Sequence, residues 1–499
     1  MKKHKPFETY FMEPGTRLFV AGTCSDAGKS LIVTGLCRIF LQDGFCPAPY
    51  KAQNMSLNSY ATPQGLEIGR AQAVQAEACR IDCHTDMNPI LLKPTGDLNS
   101  QVVLHGKPIG NRSARDYFRS EHQKPLFDEA FAALERLSAG YNPVVMEGAG
   151  SIAELNLRHR DIVNMPMALR AKAPVLLVAD IERGGVFASV YGSVALLSPE
   201  ERALVKGVLI NKFRGDVSLF DDGKRILREL TGLPIVGVVP WANHFQIEEE
   251  DSVALVKKRT VALPNMVNVC VVALPRMSNF TDFDIFRRIG GVNLYFSGNA
   301  NEVAKADAII LPGSKNTIGD LEFLHRSGLS QTIKNAHAQG KYIVGICGGY
   351  QMLGVDVLDP SGIEGGTPHC SGLGLLPLRT VIEAGKTTQQ TLFRFRRDDQ
   401  LCKGYEIHMG RTTVLESVEP VNRTVDGTHD GAWASEKCWG TYMHGIFDNA
   451  AVIRRWLSPL GVDTSGVEDH WAYKQRQYDL LADHLRKHID MEMIYSFLR

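Results

Sequence analysis

The chain has 499 residues, and its 55 Lys+Arg balance 55 Asp+Glu to a formal charge of zero at pH 7. Hydrophobic residues make up 44% and charged residues 22%, the mixture of a folded protein of two or three domains and not of a disordered chain. There is no basic excess to attract nucleic acid, and no apolar stretch approaches the ~20 residues needed to cross a bilayer.

The N-terminus starts basic, but Glu8, Glu13 and Pro14 break a signal-peptide core, and ten scattered cysteines suit a reducing cytosol. Cys79, Cys83 and His84 lie close together, yet no second cluster completes a tetrahedral metal set. Residues 1–245 alternate strand and helix, which predicts a parallel sheet covered on both faces. Strands are expected at 17–21, 143–146, 174–179, 207–210 and 235–239, with helices over 30–43 and 69–79. A charged stretch, 248–259, predicts a linker over 246–261. Alternation resumes at 267–274, 308–311 and 342–346, giving a second α/β unit over 262–455 whose later part is expected to be β-rich. In 456–499, Trp471, Tyr478, Leu481 and Leu485 recur at helical spacing, predicting a helical extension docked by that stripe. The expected fold class is therefore α/β: two doubly wound, mostly parallel sheets and a helical tail.

The first strand runs through Gly22-Thr23-Cys24-Ser25-Asp26-Ala27-Gly28-Lys29-Ser30 into a helix. A Gly-rich loop before a helix N-terminus gathers backbone N–H groups around an anion. Thr23, Asp26 and Gly28 would shape an ATP site there, Lys29 would reach the outer phosphates, and the Ser30 hydroxyl would ligate Mg²⁺. Glu147, ending a neighbouring strand ahead of Gly148-Ala149-Gly150, supplies a metal-holding carboxylate, with Glu154 as a second. Asn211, at another strand end, is placed to read a purine edge.

In the second unit an apolar strand leads into Cys347-Gly348-Gly349-Tyr350-Gln351 and a helix. A nucleophile on such a tight turn needs small neighbours, and the helix N-terminus favours the thiolate. Gly313 and Gly348 would turn backbone N–H groups toward an oxyanion, and His444, far downstream, is the candidate general base.

The Gly-Thr-x4-Gly-Lys-Ser loop, Lys51, Glu147-Gly-Ala-Gly and Asn211 resemble the dethiobiotin synthetase-like ATPases, which activate carboxylates as acyl phosphates. Residues 23–27 lack the early lysine of the related partition ATPases. The Cys347 elbow with His444-Gly445 resembles the class I glutamine amidotransferases, whose third catalytic residue is an acid two positions after the histidine. Here position 446 is isoleucine, and Asp448 is no obvious substitute.

Seven further segments resemble the cobyric acid synthase family over nearly the whole chain. They are Lys51-Ala-Gln-Asn-Met-Ser-Leu-Asn-Ser-Tyr60, 67–72, 86–89, 92–95, 180–185, Pro275-Arg-Met-Ser-Asn-Phe-Thr-Asp-Phe-Asp284 and 404–410. The resemblance implies a ligase that uses ATP, Mg²⁺ and glutamine, or free ammonia, to amidate the b, d, e and g carboxylates of adenosylcobyrinic acid a,c-diamide. Gln53, Asn54, Ser56 and Asn58 are neutral hydrogen-bonding residues that would face this corrinoid acceptor. Nucleic acid and membrane are not expected partners, and homo-oligomers stay open. Cobyrinic acid a,c-diamide synthase is the nearest competing assignment. A partition-type P-loop switch is the competitor from another class, opposed by the missing lysine, the zero charge and the Cys347 elbow.

Overall fold

The computed structural model describes residues 12–95, 99–117, 119–248, 259–364 and 367–499. Residues 249–258, most of the expected linker, lie outside the described residues.

Six strands build the first sheet: β1 (Arg17–Gly22), β2 (Ala48–Tyr50), β3 (Val144–Glu147), β4 (Val175–Asp180), β5 (Val205–Phe213) and β6 (Ile235–Pro240). All pair in parallel, in the order β6-β5-β4-β1-β3-β2. Continuous apolar runs such as Leu18–Ala21 are buried because helices cover both faces. Sequence pattern missed β2, whose three residues include a proline and carry no usable period. The chain passes from β3 to β4 across β1, and an α/β sheet opens a crevice at such a switch, outside the carboxyl ends of its strands.

The second sheet comprises β7 (Val267–Val272), β8 (Val292–Ser297), β9 (Ala308–Leu311), β10 (Tyr342–Ile346), β11 (Ala432–Ser435) and β12 (Cys438–Thr441). Its order is β8-β7-β9-β10-β12-β11, parallel except for the edge strand β11. The loops leaving β9, β10 and β12 therefore emerge side by side. The β-rich part is a further sheet dominated by the antiparallel pair Leu378–Phe395 and Leu401–Val414.

After the second sheet, the helix His470–His488 returns to the first. Leu481 and Leu485 are fully buried in one cluster with Ile32, Val33 and Leu36 of the helix Lys29–Gln42. Arg38, buried in that seam, donates to Asp479 at 2.7 Å and to Gln475 at 2.8 Å. Trp471 departs from the expected stripe and is 51% exposed, since it stands on the first turn at the rim of the buried face. The buried stripe instead runs through Lys474, Gln477, Tyr478, Leu481 and Leu485.

Candidate active sites

The loop after β1 closes around Lys29, whose Nζ donates to the carbonyls of Cys24 and Gly150 at 3.0 Å each. Gly28 caps the following helix at φ 93°, and a Cβ there would stand 2.2 Å from Asn211 Nδ2. Glycine thus lets Asn211 reach across and donate to the Ala27 carbonyl at 2.9 Å, bracing the loop. Pairing of Val20 with Glu147 sets the β3 carboxylate beside the loop. Glu147 Oε1 accepts from Ser30 Oγ at 2.8 Å and Lys51 Nζ at 2.9 Å, and Oε2 accepts from Gln75 at 2.7 Å. Burial would push this carboxyl up, but the Lys51 ammonium and the other donors outweigh it and hold it below its usual range.

These groups open into a cavity of about 890 Å³. Asp26, Gly28, Lys29, Ser30, Glu147 and Asn211 line one side of it. The second unit contributes Thr281, Ile285 and Arg288, and the C-terminal helix contributes His470, Tyr473 and Lys474. Thr23 is buried and does not line the cavity. Glu154 lies exposed on the turn beyond the buried Ile152 and does not line the cavity.

Among the four residues expected at the acceptor, only Asn54 lines the cleft. Gln53 accepts the Tyr117 hydroxyl. Ser56 Oγ accepts from Asn58 N at 3.0 Å, and the Asn58 carbonyl accepts from Arg70 N at 3.1 Å. Ser56 and Asn58 spend these groups on the turn that carries Ser59 to the second unit, where Ser59 N donates to Asn279 Oδ1 at 2.9 Å.

Cys347 occupies the elbow after β10 with φ 53° and ψ −110°, a strained conformation held by its N–H donating to the Thr441 carbonyl at 2.8 Å. A Cβ on Gly349 would lie 2.0 Å from the Leu311 carbonyl oxygen, so the helix can meet β9 only through glycine. His444 follows β12, and its Nδ1 lies 2.6 Å from Asp282 Oδ2. With Nδ1 committed to Asp282, Nε2 is the ring nitrogen left to serve Cys347. Burial alone would keep the imidazole neutral, but Asp282 and then Cys347 outweigh it and push His444 up to about 10.

Tyr405 stacks on the ring at 5.2 Å and exchanges backbone hydrogen bonds with His444 at 3.1 and 2.8 Å. The Cys347 thiol donates to the Ile407 carbonyl at 3.5 Å. Gly313 abuts His444 and Gly348 abuts the Ser314 amide, so both expected oxyanion glycines border the dyad. Asp448 pairs with His470 at 3.3 Å and not with His444.

The acid that holds the His444 ring is therefore Asp282, on the 3-10 helix Phe280–Arg288. It lies inside segment 275–284, which sequence comparison singled out without assigning it a role. A search confined to the residues after His444 passes it by.

A second, narrow cavity of about 40 Å³ sits at Cys347 and is lined by Gln351, Glu364 and Lys315, and by Ser59 and Lys93 of the first unit. Lys93 Nζ donates to Glu67 at 2.6 Å and to Ser59 Oγ at 2.9 Å, while Lys386 of the second unit pairs with the other Glu67 oxygen. Burial, then Lys386 and Lys93, bring Lys315 down to about 7.

Residues 18–253 match the family described as the CobQ/CobB/MinD/ParA nucleotide binding domain, and residues 268–452 match the CobB/CobQ-like glutamine amidotransferase domain. The cobyric acid synthase of Parabacteroides distasonis is 57% identical over 488 residues, spanning 97% of this chain and 98% of that protein. The chain belongs to the cobyric acid synthase family. The cobyric acid synthase of Bacteroides fragilis is 56% identical over 484 residues, 96% of this chain and 98% of that one. That of Chlorobium phaeobacteroides is 46% identical over 491 residues, 96% and 99% of the two chains. The two parallel sheets are the nucleotide-binding and amidotransferase domains that the cobyric acid synthase family joins in one chain.

Proposed function

We propose that this chain is an ATP- and glutamine-dependent ligase that converts the b, d, e and g carboxylates of adenosylcobyrinic acid a,c-diamide to amides. The observation that carries this is the pairing of a Cys347–His444–Asp282 triad with a P-loop cleft whose far wall comes partly from the triad's own unit. Cys347 Sγ attacks the glutamine amide carbon, the C–N bond breaks, and His444 gives its proton to the departing ammonia. Water then releases glutamate from the thioester.

In the cleft, an acceptor carboxylate oxygen attacks the γ-phosphorus of ATP and ADP leaves. Ammonia attacks the resulting acyl phosphate, and phosphate departs. Lys29 and the loop amides would hold the triphosphate. The Ser30 hydroxyl and the Glu147 carboxylate form a hard-oxygen pair 2.8 Å apart whose chemistry fits Mg²⁺. Bound there, the cation would neutralise phosphate charge. Ten cysteines without a disulfide among the described residues, and substrates such as ATP and glutamine, support a cytoplasmic setting.

The test is Cys347→Ala, followed by mass spectrometry that counts acid-to-amide conversions of the a,c-diamide. Glutamine-supported amidation should collapse while ammonia-supported amidation survives. Equal loss with both donors would refute the assignment.

A further inference from the structure

The helix Phe280–Arg288 touches both sites. A 3-10 helix repeats every three residues, so Asp282, Ile285 and Arg288 share one row about 12 Å long. One end of that row holds His444, and the other lines the P-loop cleft.

Arg288 is held rigidly there. Its Nη2 donates to His470 Nδ1 at 2.7 Å, and its guanidinium lies 3.7 Å over the Tyr473 ring. Burial, reinforced by the nearby Lys474, brings His470 down to about 3, so its imidazole is neutral. Accepting at Nδ1, it carries its proton on Nε2, toward Asp448 at 3.3 Å.

The other cations of this wall are answered. Arg287 pairs with Asp284 at 3.4 Å, and Lys474 pairs with Glu248 at 2.8 Å and with Glu77. Among the described residues, no carboxylate lies within ion-pair distance of Arg288. Burial also lowers its pKa, outweighing the upward pull of Tyr473 and of the more distant Asp448 and Glu468. A guanidinium has five donors, and one is spent on His470. Donors engaged with neither His470 nor Tyr473 remain for an anion in the cleft.

We propose that Arg288, fixed by His470 and Tyr473, binds a carboxylate of the acceptor, and that the row it shares with Asp282 transmits this occupancy to the glutaminase dyad. The proposal rests on the cleft being the site of acceptor amidation. Carboxylate and phosphate share the required chemistry, but the phosphate contacts lie across the cleft, on Lys29 and Ser30. Glutamine would then be hydrolysed fastest when an acceptor is seated, which spares ammonia that has no destination.

The experiment compares wild-type chain with Arg288→Met and Arg288→Lys, using the a,c-diamide, ATP and glutamine. The acceptor KM should rise about tenfold or more in Arg288→Met, the loss of one strong charge-assisted contact. The KM for ATP should stay near the wild-type value. The rise in glutamine hydrolysis on adding acceptor should flatten in step with the acceptor KM, and Arg288→Lys should recover part of both. An unchanged acceptor KM in folded Arg288→Met overturns the proposal, and so does an effect confined to the KM for ATP, which would mark a phosphate site. Loss of acceptor affinity with full acceptor stimulation at saturation overturns the coupling. A wild-type chain that leaves the a,c-diamide unamidated overturns the assigned function itself.

Discussion

Asp282 stands 162 residues ahead of the histidine it supports and fixes its tautomer, orientation and charge. In Asp282→Asn the carboxylate is gone, so glutamine-supported turnover should fall by about 10²- to 10⁴-fold, the range of a positioned acid–base group. Ammonia-supported amidation should persist. Without its largest upward influence, His444 should titrate well below the value of about 10 that it has beside Asp282. NMR titration of the imidazole reads this directly, and an unshifted pKa would remove Asp282 from the triad. The sign for stability follows from the same shift. A histidine raised from 6.5 to about 10 on folding stabilises the fold fully below pH 6.5, and that contribution is lost as pH climbs through 10. On the other side of the molecule, Lys29→Ala leaves the loop without its bridging ammonium. Product formation should vanish with either nitrogen donor while some glutamine hydrolysis remains, checked by assaying glutamate and product in one reaction. Lys29 and Cys347 were legible in the sequence because each sits in a local motif dictated by a tight turn. Asp282 was not, because only the folded sheet brings it to His444.

At the level of elements, continuous apolar runs made β1, β3–β7, β9 and β10 readable from sequence, whereas short strands such as β2 were not. The C-terminal helix was foreseen as a docked stripe, but its destination was not. Periodicity marks which face is apolar and says nothing of what covers it. Leu485 is fully buried in this seam, so Leu485→Ala should cost about 2–5 kcal/mol by denaturant unfolding, the range for a buried large-to-small change. Because the seam backs the P-loop helix, amidation should lose thermal tolerance in parallel with the fold. The strand Leu401–Val414 shows a second case of long-range placement. Its Tyr405 and Ile407 clamp His444 and Cys347, although the sequence marked segment 404–410 only by its family resemblance.

Across the whole molecule, the two units meet through polar groups as well as apolar ones. Glu67 is buried between Lys93 of its own unit and Lys386 of the other, and these lysines overcome burial to hold its carboxyl far below 4.5. A depressed carboxyl pKa stabilises the folded chain above about pH 4.5, and the contribution is lost as pH falls below that value. Glu67→Gln would leave two ammonium groups facing each other in a buried space. It should cost about 3–5 kcal/mol and flatten the acid limb of the stability profile, measured by urea unfolding from about pH 6 down to about pH 2. The Glu67–Lys386 pair joins residues 319 positions apart, and no local pattern in the sequence announces it.

The return of the helix His470–His488 to the first sheet makes the chain interlaced. A gene cut once between the units would strand that helix on the wrong fragment, leaving the ATP-side half with an uncovered greasy seam. Two cuts, or a circular permutation that moves the tail to the front, would be needed to obtain halves that fold separately.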